Sequence, residues 1–517
     1  MKRILSIVLA LSMLLCAGVS FADAATVDYS EPTAISAEPI TATFFLTNDT
    51  SYTGDEIVWQ TIKELTNIEF QVIPVPLSSY SEKLSTTIAS GNIPDIMGCR
   101  SYKTVDEYGP EGAFLSFEPY IEAGMMPNYV SVLDSMPPAM QLATSPDDVR
   151  YGAPRIYLTP RMDEALLARV DVLEKLGLTR EPATLEEFYD IMLAVKEAYP
   201  DSTPWLNRWE TASLLYDWGQ IYNTSYTYYL APGATEYVYG PATQNYKDML
   251  QYLANMYKDG LLNKDFATMS DEEYKEAWIT NRGFFAYDYQ VADEFYDDSV
   301  ALLDEGFDIG AMIAPPYDGV FIGYPVLEGY YGYTKAVSSM TQHPDEMIRF
   351  IDWTYSEAGQ NALMFGIEGK DYTFNDDGTV NMITDIKCAA KPAGTIEVHG
   401  LNDQNIFSVL PASAAEFYEN TTKFTINEKA YITEHDAWQD PIFYARFYNA
   451  DENDRYNEIK TPLDTYITEE STKIIIGEKS VDGWDDIIAA AASTYNYEEG
   501  LQLVNKAYVD TFGTTEG

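Results

Sequence analysis

Apolar positions along the chain switch repeatedly between a period of two and a period near 3.6 from residue 38 onward. "ITATFFLT" at 40–47 reads as a strand. In "TGDEIVWQTIKELTN", Val58, Ile62 and Leu65 fall at i, i+4 and i+7, and Thr53 with Glu56 has capping-box spacing, so a helix is predicted. "IEFQVIPV" alternates Ile68, Phe70 and Val72 as a second strand. A second helix, "SYSEKLSTTIASG", has Ser79 and Glu82 as its box and Gly91 as its stop. "IPDIM" at 93–97 is a short buried strand. This βαβαβ opening predicts a mostly parallel sheet covered by helices.

A second region starts near Tyr151. Residues 169–200 hold two helices, the first stopped by Gly177, the second capped by Thr184 with Glu187 and burying Phe188, Ile191, Met192 and Val195. Residues 246–262 form another helix ending at Gly260, and "RGFFAYDY" at 282–289 is a strand. After Pro344 one helix is predicted as far as Gly366. "GKDYTFNDDGTV" then carries Tyr372 and Phe374 on one strand, Val380 and Met382 on the next, with turn residues between. That polar run is not an EF-type calcium loop. With Gly378 at position six, Thr384 stands where a bidentate carboxylate is required. Asn496 and Glu499 cap a last helix carrying Leu501, Val504 and Tyr508.

The first residues, "MKRILSIVLALSMLLC", place two basic residues before an apolar run, with Ala22-Asp23-Ala24 as a cleavage site, the pattern of a secretory signal peptide. Cys16 leaves two readings open. It is a lipid-anchored cysteine behind a weak lipobox, since Leu15 stands where a small residue is expected, or an ordinary cysteine of the apolar run. No second long apolar run is present, so a soluble, secreted mature protein is expected. Its 517 residues exceed what one core usually supports, and no linker is visible, so two lobes joined by several chain crossings are predicted.

Charge narrows the partners. There are 32 basic against 81 acidic residues, formally −49, which repels nucleic acid and anionic membranes and favours an uncharged ligand. Acidic surfaces also simply keep secreted proteins in solution. Beyond Cys16, Cys99 and Cys388 are read as buried thiols or one disulfide.

In this order "VWQTIKELTNIEF", "KLSTTIASGNIPDIM", "YGAPR", "RVDVLEKLGLTREPATLEEFYDIMLAVK", "YSEAGQNALMFGIEGKDYTFNDDGTV" and "IIIGEKSVDGWDDIIAA" resemble extracellular solute-binding proteins of bacterial ABC importers. The similar branch is the long oligosaccharide-binding and lipoprotein-type one, with the alginate-oligosaccharide-binding proteins. The resemblance implies an α/β fold of the periplasmic-binding-protein type II. Two α/β lobes enclose a ligand cleft, with hinge crossovers near 155–162, 322–330 and 395–405. It implies a signal peptide at 1–24, a flexible segment at 25–37, lobe 1 at 38–155 and 330–395, and lobe 2 at 156–329 and 396–517. It further implies an oligosaccharide ligand, delivery to the transmembrane subunits of an ABC permease, a monomer, and no enzyme activity. Alginate-binding relatives carry a calcium loop after the helix at 185–198. Here the chain runs "DSTPWLNRW", with Pro204 and Trp205 where oxygen ligands would stand. No metal and no cofactor is therefore expected.

A sugar site stacks aromatic rings on C–H faces and aims carboxylates, amides and arginine at hydroxyls. "PWLNRWE" breaks helical periodicity and mixes Trp205 and Trp209 with Asn207, Arg208 and Glu210, so both tryptophans are candidates. Ligands of open α/β sheets lie beyond the carboxyl ends of strands. That adds Arg100 and Tyr102 after the third strand, and Tyr287, Asp288 and Tyr289 after "GFFAYDY". Arg155 and Arg161 flank the first crossover, Glu328, Tyr330 and Tyr331 the second, and Trp438 and Asp440 lie in "HDAWQDP". For each the plain alternative is core packing or a surface ion pair. Only three histidines occur, and no nucleophile elbow, zincin or phosphate-loop motif is present. A secreted carbohydrate-active hydrolase, a sensor module or a peptide binder remain as alternatives, because chance carboxylate pairs abound in so acidic a chain.

Overall fold

A computed structural model of the chain describes residues 29, 34–47, 56–76, 79–136, 139–140, 143–162, 164–289, 306–324, 326–376, 378–383, 408–410, 431–432, 434–435, 437 and 445–513. The signal peptide with Cys16, the crossover near 395–405, Cys388, Trp438 and Asp440 lie outside the described residues.

The alternating amino-terminal pattern folds as its periodicity dictates. Strand β1 (Ile40–Thr47), helix α1 (Ile57–Thr66), β2 (Ile68–Val75), α2 (Tyr80–Ala89) and β3 (Ile96–Cys99) succeed one another. β1 pairs in parallel with both β2 and β3. Further along come α3 (Tyr102–Tyr108), α4 (Glu118–Glu122), α5 (Pro127–Ser135) and β4 (Ala153–Met162). The second lobe then opens with β5 (Glu164–Arg169), α6 (Val170–Leu176), α7 (Leu185–Ala198) and α8 (Thr211–Tyr222). It goes on through the short hairpin β6 (Tyr228–Tyr229) and β7 (Val238–Tyr239), α9 (Gln244–Lys258), α10 (Asp271–Ile279), β8 (Phe285–Tyr289) and β9 (Ile309–Ala311). Strand β10 (Val326–Val337), α11 (Pro344–Trp353), α12 (Glu357–Phe365), the hairpin β11 (Tyr372–Phe374) and β12 (Val380–Met382), and β13 (Val409–Leu410) return to the first sheet and its helices. Helices α13 (Ala450–Ile475), α14 (Trp484–Tyr495) and α15 (Tyr497–Phe512) close the chain.

Each large sheet carries its own core. The first surrounds a six-stranded sheet of order β13-β4-β10-β3-β1-β2, in which β10 runs antiparallel to β3 and β4. Val58 and Ile62 of α1 are buried as predicted, and Phe44, Trp59 and Phe70 meet edge to face at 5.4–6.0 Å. Each such side chain contributes about 1.5–3 kcal/mol by leaving water. The second core covers the sheet β8-β5-β9 with α7–α10 and the carboxyl-terminal helices, around Phe188, Trp205, Trp218, Trp278 and Trp484. The chain passes from the first sheet to the second between β4 and β5, and returns between β9 and β10. Residues 156–162 and 326–329 pair within the first sheet.

Several local expectations are corrected. The strand expected at 93–97 pairs instead at Ile96–Cys99. Ser79 does not cap α2, because its hydroxyl donates back to the Pro76 carbonyl. Thr184 does cap α7, accepting from the Glu187 amide, whereas the Glu187 carboxylate takes the Ala183 amide instead of closing the box. The helix expected over 344–366 is two. Thr354 leaves the pattern, its hydroxyl donating to Ile351, and Ser356 caps the second piece. Asn496 takes the left-handed conformation at the junction of α14 and α15 and caps nothing through its side chain, while Glu499 pairs with Arg455 at 2.7 Å. The hairpin at 372–382 forms. Cys99 is a buried thiol, its pKa pushed up to about 12 by burial.

Candidate functional site

The segment after α7 builds the site. Residues 204–206 lie extended between β8 and the loop at 261–263. The Trp205 amide donates to Leu261, the Leu206 amide to Phe285, and the Phe285 amide to Pro204. Gly283 makes this approach possible, since a Cβ there would sit 2.1 Å from the Leu206 side chain. The extended backbone turns the Trp205 ring inward, 4.6 Å from Trp218 and 6.3 Å from Phe188. The ligand role expected for Trp205 is thereby corrected, for its ring fills the second core.

Asn207 fixes the chain leading into Trp209. It exchanges hydrogen bonds with Asn263 in both directions at 2.9 and 3.0 Å, and its side-chain amide donates to Phe266 at 2.6 Å. This clamp holds Trp209 at φ 71°, a conformation a bulky residue rarely adopts, with the residue 43% exposed. Strain of this kind persists only where the surroundings over-determine it. The Trp209 indole nitrogen donates to Asp271 at 3.1 Å, at the first residue of α10. Ser270 and Glu273 close a full capping box there and fix that helix start.

Beneath Trp209 lies Arg208, 6% exposed. Its guanidinium donates to Asp271 and Asp288, each at 3.0 Å, and lies 4.2 Å from the Trp209 ring and 4.8 Å from Tyr274. The carboxylates raise its pKa against the opposing effect of burial. Its Nε has no hydrogen-bond partner among the described residues. Asp217, on the buried stripe of α8, is 7% exposed and makes no hydrogen bond or ion pair among the described residues. Burial, then the neighbouring charges of Glu164 and Asp288, push its carboxyl well above the usual range. Glu164, Asp217, Tyr287 and Asp288 line a depression beside Trp209. Its water-accessible space is about 10 Å³, room for one water or one hydroxyl and not for a sugar ring.

A second cluster belongs to the first lobe. Arg100 and Arg155 both face the ring of Tyr333, at 5.0 and 4.4 Å. Tyr102 lies 5.1 Å from the buried guanidinium of Arg446, which pairs with Asp106 at 2.6 Å. Arg446 is also held at its amide by Thr511 of α15, so this pair joins the two lobes.

Of the expected residues, Trp209, Tyr287 and Asp288 come together in the second lobe, and Arg100 and Arg155 in the first. Arg161, Tyr289, Glu328, Tyr330 and Tyr331 are described by backbone alone, on β4, β8 and β10. Asp217, Glu164, Tyr333 and Arg446 were not singled out from sequence. Only Asp217 left a legible signal, as a lone carboxylate among apolar positions of "TASLLYDWGQIY". Among the described residues no metal-ligating cluster occurs, and no helix is long and apolar enough to cross a membrane.

Residues 49–361 match the model of the bacterial extracellular solute-binding protein family. The chain is 26% identical over 457 residues to lipoprotein LipO of Bacillus subtilis (strain 168), covering 83% of this chain and 84% of that one. It is 22% identical over 453 residues to the polygalacturonan/rhamnogalacturonan-binding protein YtcQ of the same organism, covering 82% and 84%. Among solved structures, the alginate-binding protein AlgQ2, determined without calcium ion, superposes with a TM-score of 0.77 at 19% identity. That likeness covers 92% of this chain and 99% of the other, and shows the same two-lobed type II fold.

Proposed function

We propose that this chain, which belongs to the bacterial extracellular solute-binding proteins, captures an oligosaccharide between its two lobes and delivers it to the transmembrane subunits of an ABC importer. The observation that carries this reading is Trp209. An exposed aromatic ring, held in a strained conformation above a buried arginine and beside carboxyls, matches what a sugar presents: an apolar face and a polar edge. The sugar-binding relatives support the same ligand class.

In this reading lobe 1 comprises the first sheet with its helices, and lobe 2 the second sheet with the carboxyl-terminal helices. Arg100, Tyr102 and Tyr333 face the ligand from lobe 1, with the buried Arg155 behind the Tyr333 ring, and Trp209, Tyr287 and Asp288 face it from lobe 2. Arg161, Tyr289, Glu328, Tyr330, Trp438 and Asp440 remain candidates for the rest of the cleft. Contacts from both lobes make the closed form bind better than the open one, so ligand shifts the population toward closure. The protein acts as a monomer outside the cell, held at the membrane if Cys16 is acylated. Binding and hinge closure need no covalent chemistry.

Titration calorimetry against neutral and acidic oligosaccharides and peptides tests the assignment, and binding of peptides alone would sink it. Small-angle scattering should show compaction with a bound oligosaccharide. Turnover of that sugar by the purified protein would replace transport by hydrolysis.

A further inference from the structure

Resting on the oligosaccharide reading, we infer that the second-lobe subsite under Trp209 takes an uncharged sugar ring and excludes a uronate. Three features point there together. First, Arg208 is the cation of this subsite, yet two protein carboxylates already neutralise it. Its terminal nitrogens each hold one, Asp271 and Asp288, and its Nε is buried. A bidentate arginine–carboxylate pair, the usual means of holding a uronate, would bring a third carboxylate onto a guanidinium that two already engage. Second, Glu164, Asp217 and Asp288 line the depression, so a ligand carboxylate would meet carboxyl groups at close range. Third, Asp217 is nine-tenths buried, lines that depression, and has hydrogen-bonding capacity that none of the described residues uses. A buried carboxyl can accept a hydrogen bond from a sugar hydroxyl in either protonation state.

The size of the depression fixes the pose. A ring lies with its C–H face on Trp209, outside, and one edge hydroxyl enters the space of a single water beside Asp217. An oligomer in which every ring is a uronate must place a charged ring at this position. A neutral oligomer does not.

The test is calorimetry with tetrasaccharides of glucose, mannose, galactose and xylose, and with all-uronate tetramers of galacturonate, mannuronate and guluronate. The best neutral tetramer should bind about tenfold or more tighter than any uronate. Asp217→Leu, which keeps the bulk and removes the hydrogen-bonding group, should weaken that neutral binding about tenfold while raising the melting temperature, a combination a purely structural residue would not give. An all-uronate tetramer binding as tightly as the best neutral one would overturn the inference and leave the oligosaccharide reading intact. So would unchanged affinity in Asp217→Leu. Heat from none of the saccharides would remove the oligosaccharide reading and this inference with it.

Discussion

Arg169 and Arg208 are both buried arginines of the second lobe, and their surroundings differ in what is left unused. Arg169 is consumed by the protein. Its Nε and one terminal nitrogen grip Asp171 at 2.7 Å each, the other terminal nitrogen donates to the Trp278 carbonyl and to Asn281, and the guanidinium lies 4.1 Å from the Phe307 ring. Four of its five N–H groups end on protein, and all three of its nitrogens are engaged. Arg208 also holds two carboxylates, but its Nε is unpartnered among the described residues, its neighbour Asp217 is unpaired there, and an exposed, strained tryptophan caps it. Two like charges at like depth therefore have different roles. A structural ion pair saturates its hydrogen bonds, whereas a binding site keeps some in reserve.

The largest effect that separates the two comes from removing each guanidinium. Arg208→Met removes the cation that faces the buried Asp288 and should cost about 3–5 kcal/mol of unfolding free energy in urea, together with ligand affinity. Arg169→Met strands Asp171, whose side chain is partly exposed and can take water, so about 2–3 kcal/mol is expected. Sugar affinity of the folded fraction should stay unchanged. Loss of binding in Arg169→Met would erase the distinction. Trp205→Ala belongs with the structural member of this comparison. It should cost about 3–5 kcal/mol through the cavity left beside Trp218, with affinity again unchanged.

The same contrast explains how much could be read from the chain. Strands and helices were legible from periodicity, because burial of one face is a local pattern that the fold only has to accept. Spacing misplaces caps at Ser79 and Asn496 because a cap depends on backbone dihedrals: the Ser79 hydroxyl turns back to the Pro76 carbonyl, and Asn496 takes the left-handed conformation. Trp205 and Trp209 look alike in sequence. An extended backbone sends one ring inward, and a clamp by Asn207 holds the other at the surface, which no composition argument distinguishes. Glu164, Tyr333 and Arg446 gain meaning only from neighbours far along the chain, such as Asp106 for Arg446.

Next in size is Asp217→Asn, which sharpens the comparison because its sign is opposite. The carboxyl's folded pKa lies above its unfolded value, so the unfolded chain releases the proton first as pH rises. The folded state binds more protons in that window, and wild-type stability falls as pH climbs from the unfolded value, near 4, toward the folded one. Replacing the carboxyl by an amide removes this dependence. A gain that is largest at pH 7 and shrinks toward pH 4 is expected in urea melts across that range. A variant less stable than wild type at pH 7 would mean that Asp217 has a structural partner after all.

The smallest stability change, and the largest separation of stability from binding, should come at Trp209. Glycine accepts φ 71° without strain, so Trp209→Gly relieves about 1–2 kcal/mol. Against this stand the lost contact with Arg208, about 0.5–1 kcal/mol, the lost exposed hydrogen bond to Asp271, about 0.5 kcal/mol, and the added freedom of glycine in the unfolded chain, about 0.5–1 kcal/mol. The terms nearly cancel, and unfolding free energy should move by less than about 1 kcal/mol. Affinity for the cognate oligosaccharide should fall roughly tenfold, about 1.4 kcal/mol, because the platform for the sugar face is gone. A strained, exposed ring whose removal costs the fold little and the ligand tenfold is held in place for the ligand. If affinity stays within twofold of wild type, the strain at Trp209 has another cause and the binding face of lobe 2 lies elsewhere.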